Sequence, residues 1–257
     1  MDFIQLRKFI FFYGFILSNS ITGQNLVPNP GFEEFDKCPD NYLVTDRKFL
    51  VPGWYIPTGS TPDYFNSCTR KQVGVPQNYM GYCLPKDGQG YAGMILLFNP
   101  PADSLAPAKE NYREYIEAKL ISPLEKGQLY KVSFFYNIAT YSTYAINRLG
   151  IYFSEEIILK KLSKALPYIG ILKYKPQIVM DSSLIITERD NWHEVTGTYL
   201  AVGGEEYITI GNFYNDRGTK YKIMDSSDLS TFLQNKIRKN KLAYYYVDMV
   251  SVCKMED

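Results

Sequence analysis

The sequence predicts an all-β fold, a jelly-roll or related Greek-key β-sandwich, on three observations. Residues 129–138 place Tyr130, Val132, Phe134, Tyr136 and Ile138 in one phase and Lys131, Ser133 and Asn137 in the other, the period of a strand with one buried face. About nine or ten short stretches of strand character follow one another along the chain. The breaks between them are rich in Pro, Gly and Asn, and credible helices are few.

The elements follow in order. In the first 23 residues Arg7-Lys8 precede an apolar run over 9–17, and small polar residues lead to Gly23. That order is a secretory signal peptide whose apolar part is too short to span a bilayer. The mature chain is expected to start near Gln24 and to form a single domain over 24–257. Its place would be outside the cytoplasm: secreted, periplasmic or on the cell surface. No later apolar run approaches the roughly 20 residues that a membrane crossing requires.

Residues 25–27 read as a short strand before a Pro/Gly turn, and 38–87 as long loops interrupted by short strands, with Pro52-Gly53-Trp54 among the turn signals. Residues 90–98 form a strand whose small residues suit a close approach of another backbone. Residues 112–138 read as an antiparallel pair reversed at Ser122-Pro123-Leu124-Glu125-Lys126-Gly127-Gln128. Further strands are expected at 147–154, near 177–180, and at 192–200, 207–214 and 242–252. A short helix is expected over 227–238, capped by Ser226 or Ser227.

Without the leader, which carries Asp2, Arg7 and Lys8, the chain has 26 basic and 26 acidic residues, a balance that argues against general nucleic-acid binding. Two basic segments, 158–175 and 216–241, interrupt the strand rhythm and read as inserted loops, solvated or facing an anionic surface. The four cysteines fit an oxidising compartment and allow three pairings. Cys38 and Cys68 flank the stretch with least strand pattern, where a bridge helps most. Cys83 and Cys253 are left over. Zinc is disfavoured, because no C-x-x-C pair occurs and His193 is the single histidine.

No Gly-x-Ser-x-Gly elbow or phosphate-cradling glycine loop occurs, and no motif singles out a pair of carboxylates for glycoside hydrolysis. The chain therefore reads as a non-enzyme.

The opening Asn25-Leu26-Val27-Pro28-Asn29-Pro30-Gly31-Phe32-Glu33, the Pro52-Gly53-Trp54 turn and the closing Tyr244-Tyr245-Tyr246-Val247-Asp248-Met249-Val250-Ser251-Val252 resemble the end strands of the galactose-binding-like jelly-roll of bacterial carbohydrate-binding modules. The Pro-Leu-x-x-Gly-x-x-Tyr connection at 123–130 is similar to their middle strands. Residues 59–68 and 88–93, Tyr112-Arg113-Glu114-Tyr115 and 203–213 resemble uncharacterised extracellular modules of Bacteroidota, often found ahead of peptidoglycan-binding domains of the outer-membrane-protein-A type. The resemblance implies a structural calcium that ties the first strand to the last through Glu33 and Asp248, with Met249 where a second Asp would add an oxygen. It also implies a glycan ligand, of the cell envelope or an extracellular polysaccharide.

Sugar sites set flat aromatic faces beside amides and carboxylates, and the 23 tyrosines supply candidates. Those in loops or beside polar partners are Asp63, Tyr64, Asn66, Tyr112, Arg113 and Tyr115. The rival reading is a structural or adhesive envelope protein that binds another protein through edge strands or the basic insertions.

Overall fold

Alternation organises the chain as expected, but the strands it produces are distributed differently. The computed structural model describes residues 23–42, 48–99, 111–158, 170–227 and 230–256. Residues 1–22 of the expected leader and 159–169 of the first basic segment lie outside them.

In chain order the first strands are β1 (Trp54–Tyr55), β2 (Asp63–Asn66), β3 (Gln77–Asn78), β4 (Gly81–Tyr82), β5 (Gly90–Phe98), β6 (Tyr115–Lys119) and β7 (Leu129–Ile138). They are followed by β8 (Tyr144–Ile146), β9 (Gly150–Ser154), β10 (Ile178–Val179), β11 (His193–Leu200), β12 (Tyr207–Gly211), β13 (Tyr221–Ile223), helix α1 (Thr231–Asn240) and β14 (Leu242–Lys254). Two five-stranded sheets, β1-β6-β12-β9-β10 and β11-β7-β14-β5-β2, face each other as a jelly-roll sandwich, with neighbouring strands antiparallel. Two small ribbons, β3-β4 and β8-β13, stand beside them.

β6 and β7 are not the antiparallel pair that the sequence suggested. They lie in opposite sheets: β6 pairs with β1 and β12, and β7 pairs with β11 and β14. The connection between them buries Leu120 and Leu124 in the core and crosses the end of the sandwich instead of reversing in one sheet. Ile116 and Ala118 thus meet Val132 and Phe134 across the interior rather than along a ladder. The phase assigned to β7 holds, with Tyr130, Val132, Phe134, Tyr136 and Ile138 all buried.

The second basic segment carries the helix that the sequence suggested, as α1, and in addition β13. The helix starts later than expected, with Ser230 as its cap accepting from Leu233 N at 3.4 Å. The Ser227 N–H donates to Asp225 Oδ1 at 2.8 Å, closing a local turn ahead of the helix. Among the described residues no helix is long and apolar enough to cross a membrane. The Cys38–Cys68 disulfide is formed, which fits an oxidising compartment, while Cys83 and Cys253 are free thiols.

The outer face of the second sheet is itself buried over β2, β5 and the first half of β14. Phe65, Tyr91, Tyr244 and Tyr246 project from it into a second hydrophobic cluster closed by Val73, Met80 and Cys83. The covering segment, 67–84, includes the β3–β4 ribbon and is tied at its start by the disulfide. Asn78 holds the cover down, accepting from Tyr246 Oη at 2.9 Å and donating to Tyr91 Oη at 3.1 Å.

Candidate binding cleft

β2 pairs with β5 over four residues, Asp63 opposite Gly93 and Phe65 opposite Tyr91. Alternation therefore sends Asp63 and Phe65 outward and Tyr64 and Asn66 inward. Tyr64 Oη donates to Phe32 O and accepts from Asn66 Nδ2, both at 2.8 Å, and Asn66 Oδ1 accepts from Cys68 N at 2.9 Å. Both of these expected ligand residues are committed to the interior.

Gly93 leaves a gap that Tyr244 fills. A Cβ there would come within 2.6 Å of the Tyr244 hydroxyl and of the Phe65 ring. Small residues in this strand thus admit a backbone at Gly90, as the sequence suggested, where a Cβ would lie 2.8 Å from Phe32 O, and side chains at Gly93. Through the gap Tyr244 Oη donates to Asp63 Oδ2, which also accepts from Tyr79 Oη at 2.6 Å. Asp63 is 3 % exposed, and its other oxygen, Oδ1, has no hydrogen-bond partner.

Ile95 continues the edge of β5 beyond the last residue paired with β2, and Glu114 satisfies it. The Glu114 N–H donates to Ile95 O at 2.9 Å, and Ile95 N donates to Glu114 Oε2 at 2.7 Å. Glu114 Oε1 accepts from Tyr112 Oη at 2.7 Å and from Thr61 Oγ1 at 3.4 Å. Asp63 and Glu114 so line one cleft of about 430 Å³, walled by Tyr42, Tyr79, Tyr112 and Tyr244 with Thr61, Gln72 and Ile95. Tyr42 stacks on Tyr79 with centroids 4.6 Å apart. Burial holds both carboxyls well above the usual carboxylate range, and the charge of Asp63 raises Glu114 further.

Of the six expected ligand residues, Asp63 and Tyr112 come together in this cleft. Arg113 points the other way and is fully buried. Its guanidinium donates to Tyr112 O at 2.8 Å and Tyr214 O at 2.9 Å, and lies 2.9 Å from Asp216 Oδ1 without hydrogen-bond geometry. Tyr115 Oη donates to Asn212 O at 2.7 Å and accepts from Leu172 N at 3.0 Å. Glu114, Tyr79 and Tyr244 were not singled out from sequence. The i, i+2 spacing of Tyr112 and Glu114 was the available signal, since period two separates that pair from Arg113 and Tyr115.

A second concavity of about 360 Å³ lies on the other side of the cover, beside Tyr82, Asn137, Arg189 and Trp192. Its polar groups are engaged: Arg189 donates to Thr140 O and Asp225 O, Asn137 Nδ2 to Asn191 O, and Trp192 Nε1 to Leu84 O. Trp54 is a core residue whose Nε1 donates to Pro28 O and Asn29 O.

Glu33 and Asp248 meet at the loop 86–90, as the first and last strands suggested, but the loop turns amide N–H groups toward them. Glu33 accepts from Gln89 N at 2.9 Å and Gly90 N at 3.1 Å. Asp248 accepts from Lys86 N at 2.9 Å, Asp87 N at 3.4 Å and Met249 N at 2.7 Å. A calcium cage needs six to eight oxygens facing inward, so donors in these positions do not fit the ion. Burial pushes the Asp248 carboxyl up to about 8. Among the described residues no three His, Cys, Asp or Glu side chains group closely enough to hold a metal ion.

No protein-family model matches the chain, and no curated protein matches it. Among solved structures it is similar to the CBM22-1 xylan-binding domain of Paenibacillus barcinonensis Xyn10C, at 9 % identity over 92 % of this chain and 97 % of that one, with a TM-score of 0.39. It is also similar to the K1 cleaved adhesin domain of Lys-gingipain from Porphyromonas gingivalis W83, at 13 % identity over 91 % and 99 % of the two chains, with a TM-score of 0.38.

Proposed function

We propose that the cleft between β2, β5 and the covering segment binds a glycan outside the cytoplasm, on the cell envelope or in an extracellular polysaccharide, without cutting it. The observation that carries the reading is Asp63 Oδ1, a buried acceptor without a partner in a cleft walled by tyrosine rings. A buried polar atom left unmatched costs about 1–3 kcal/mol, and a sugar hydroxyl delivers the missing donor. Tyr42 and Tyr79 offer ring faces for the apolar side of a pyranose.

The same contacts argue for holding over hydrolysis. An acid/base pair needs free oxygens on both carboxylates. Here both oxygens of Glu114 and Oδ2 of Asp63 already accept hydrogen bonds. A second reading, docking to another protein, is favoured by Leu129 and Leu200, cross-strand partners that stay 44 % and 59 % exposed.

Glycan-array screening of the purified chain, followed by titration of the best binder, tests the proposal. Tyr42→Ala is expected to weaken that binding at least tenfold, and Tyr82→Ala, in the second concavity, to leave it unchanged. Binding that survives Tyr42→Ala and falls with Tyr82→Ala would move the site to the other side of the cover.

A further inference from the structure

We propose that the ligand of this cleft is cationic: a glycan whose sugars carry free primary amines, with one ammonium seated between Asp63 and Glu114. The inference rests on the glycan reading above and narrows its chemistry. Two carboxylates share a buried cleft, and among the described residues neither forms an ion pair with Lys, Arg or His. The chain supplies cations elsewhere, pairing Arg113 with Asp216, Lys71 with Asp40, Lys119 with Glu206 and Lys254 with Glu125.

Every donor that reaches the two carboxyls is neutral: the hydroxyls of Tyr79, Tyr112, Tyr244 and Thr61, and one backbone amide. These fill three of the four oxygens and leave Oδ1 of Asp63, a residue of the cleft lining, buried without a partner. A sugar hydroxyl would satisfy that oxygen but leave two like charges, or a proton held between them, in a low-dielectric site. An ammonium supplies the missing donor and the missing charge together. Rings within reach of such a cation add attraction through their π faces, and the four tyrosines of the wall provide them. N-acetylation of the same sugar would remove the charge and add bulk.

The experiment is calorimetric titration of the full mature chain at neutral pH with three β-1,4-linked tetrasaccharides, of glucosamine, N-acetylglucosamine and glucose, and with tetralysine as a fourth probe. The glucosamine tetrasaccharide is expected to bind at least tenfold more tightly than the other two sugars. Asp63→Asn and Glu114→Gln, which keep shape and remove charge, are each expected to bring it down to the affinity of the glucose tetrasaccharide. If either variant fails to fold, the ranking among the sugars on the wild-type chain still decides. Equal binding of the neutral or acetylated sugar would overturn the cationic ligand and leave the glycan reading standing. Binding of tetralysine alone, or silence of all four probes, would overturn the amine-sugar ligand, and the glycan array then decides the glycan reading separately.

Discussion

The second sheet has one face turned to the first sheet and one turned to the 67–84 cover, and the two are buried by different means. On the inner face Val132, Phe134, Met94 and Val247 share one core with Ile116, Ile208 and Ile151 of the opposite sheet, mostly hydrocarbon, with Tyr64, Tyr130 and Tyr245 at positions where each hydroxyl finds a partner. On the outer face Phe65, Tyr91, Tyr244 and Tyr246 pack ring to ring, and the hydroxyls of the three tyrosines are spent on Asn78, Asp63 and the Cys83 carbonyl. Hydrocarbon packing asks only for volume and phase. The tyrosine layer asks also that each hydroxyl find its partner, and where that accounting stops, at Asp63, the ligand space begins. The inner face stores stability and the outer face stores a site.

Breaking the inner face should have the largest effect. Phe134→Ala removes a fully buried ring from the middle of β7 and is expected to cost about 3–5 kcal/mol. Denaturant unfolding should show it as a lower midpoint with all probes moving together.

Opening the outer face should cost somewhat less and act locally. The double variant Cys38→Ser, Cys68→Ser releases a loop of separation 30, for which chain entropy gives roughly 3 to 4 kcal/mol. Hydrogen exchange should accelerate first at 67–84, while the β7 and β14 amides stay protected. Simultaneous loss of protection in both faces would show that the cover and the sandwich are one cooperative unit.

Closing the gap at Gly93 sharpens the contrast further. Gly93→Ala puts a methyl group where the Tyr244 hydroxyl and the Phe65 ring now meet, an overpacking expected to cost about 1–3 kcal/mol. Because it parts Tyr244 from Asp63, ligand affinity should fall in the same variant, by an amount that Tyr244→Phe reproduces without the clash.

The inner face was legible in the sequence and the outer one largely was not, for a physical reason. Period two identifies which side chains share a face, so the phase of β7 could be read directly. It says nothing about which sheet a strand joins: Pro123 and Gly127 looked like a reversal, yet Leu120 and Leu124 carry the chain over the end of the core. Asp63 and Tyr112 could be named because they stand beside polar and aromatic neighbours. Tyr79 and Tyr244 reach Asp63 from 16 and 181 residues away, and Tyr244 does so through a gap that exists only because Gly93 has no side chain. Such convergence is a property of the fold.

Acidity tests the cost of the buried carboxyls. Burial raises the carboxyls of Asp63 and Glu114, and holds Glu117 at about 7 and Asp248 at about 8. The folded chain then binds more protons than the unfolded one, so stability is full below the ordinary carboxylate range and is lost as pH rises through the raised values. Melting temperature should accordingly fall from about pH 5 to about pH 8.5, each such group adding a slope of at most about 1.4 kcal/mol per pH unit. Asp63→Asn should flatten that slope by roughly one group's share. A melting temperature that climbs over the same interval would mean that the folded chain holds these carboxylates ionised.

The smallest expected effect is that of removing divalent ions, and it separates two ways of joining the ends of the chain. A calcium between Glu33 and Asp248 would stabilise the fold by RT ln(1 + [L]/Kd), about 2.7 kcal/mol at a hundredfold excess over Kd. The loop 86–90 instead gives both carboxylates amide hydrogens. It also runs so close that a Cβ on Gly88, whose φ is +64°, would lie 2.3 Å from the Glu33 carboxyl. Hydrogen bonds from backbone N–H groups to these carboxyls hold the ends by about 0.5–1.5 kcal/mol apiece. Chelation is therefore expected to leave the melting temperature unchanged, and Gly88→Ala to lower it, because the methyl group pushes Glu33 off Gln89 and Gly90. A melting temperature that falls with chelator and recovers with calcium would show that the loop can turn its carbonyls inward. In that case Asp248→Asn should erase the recovery while the cleft beside Asp63 keeps its ligand.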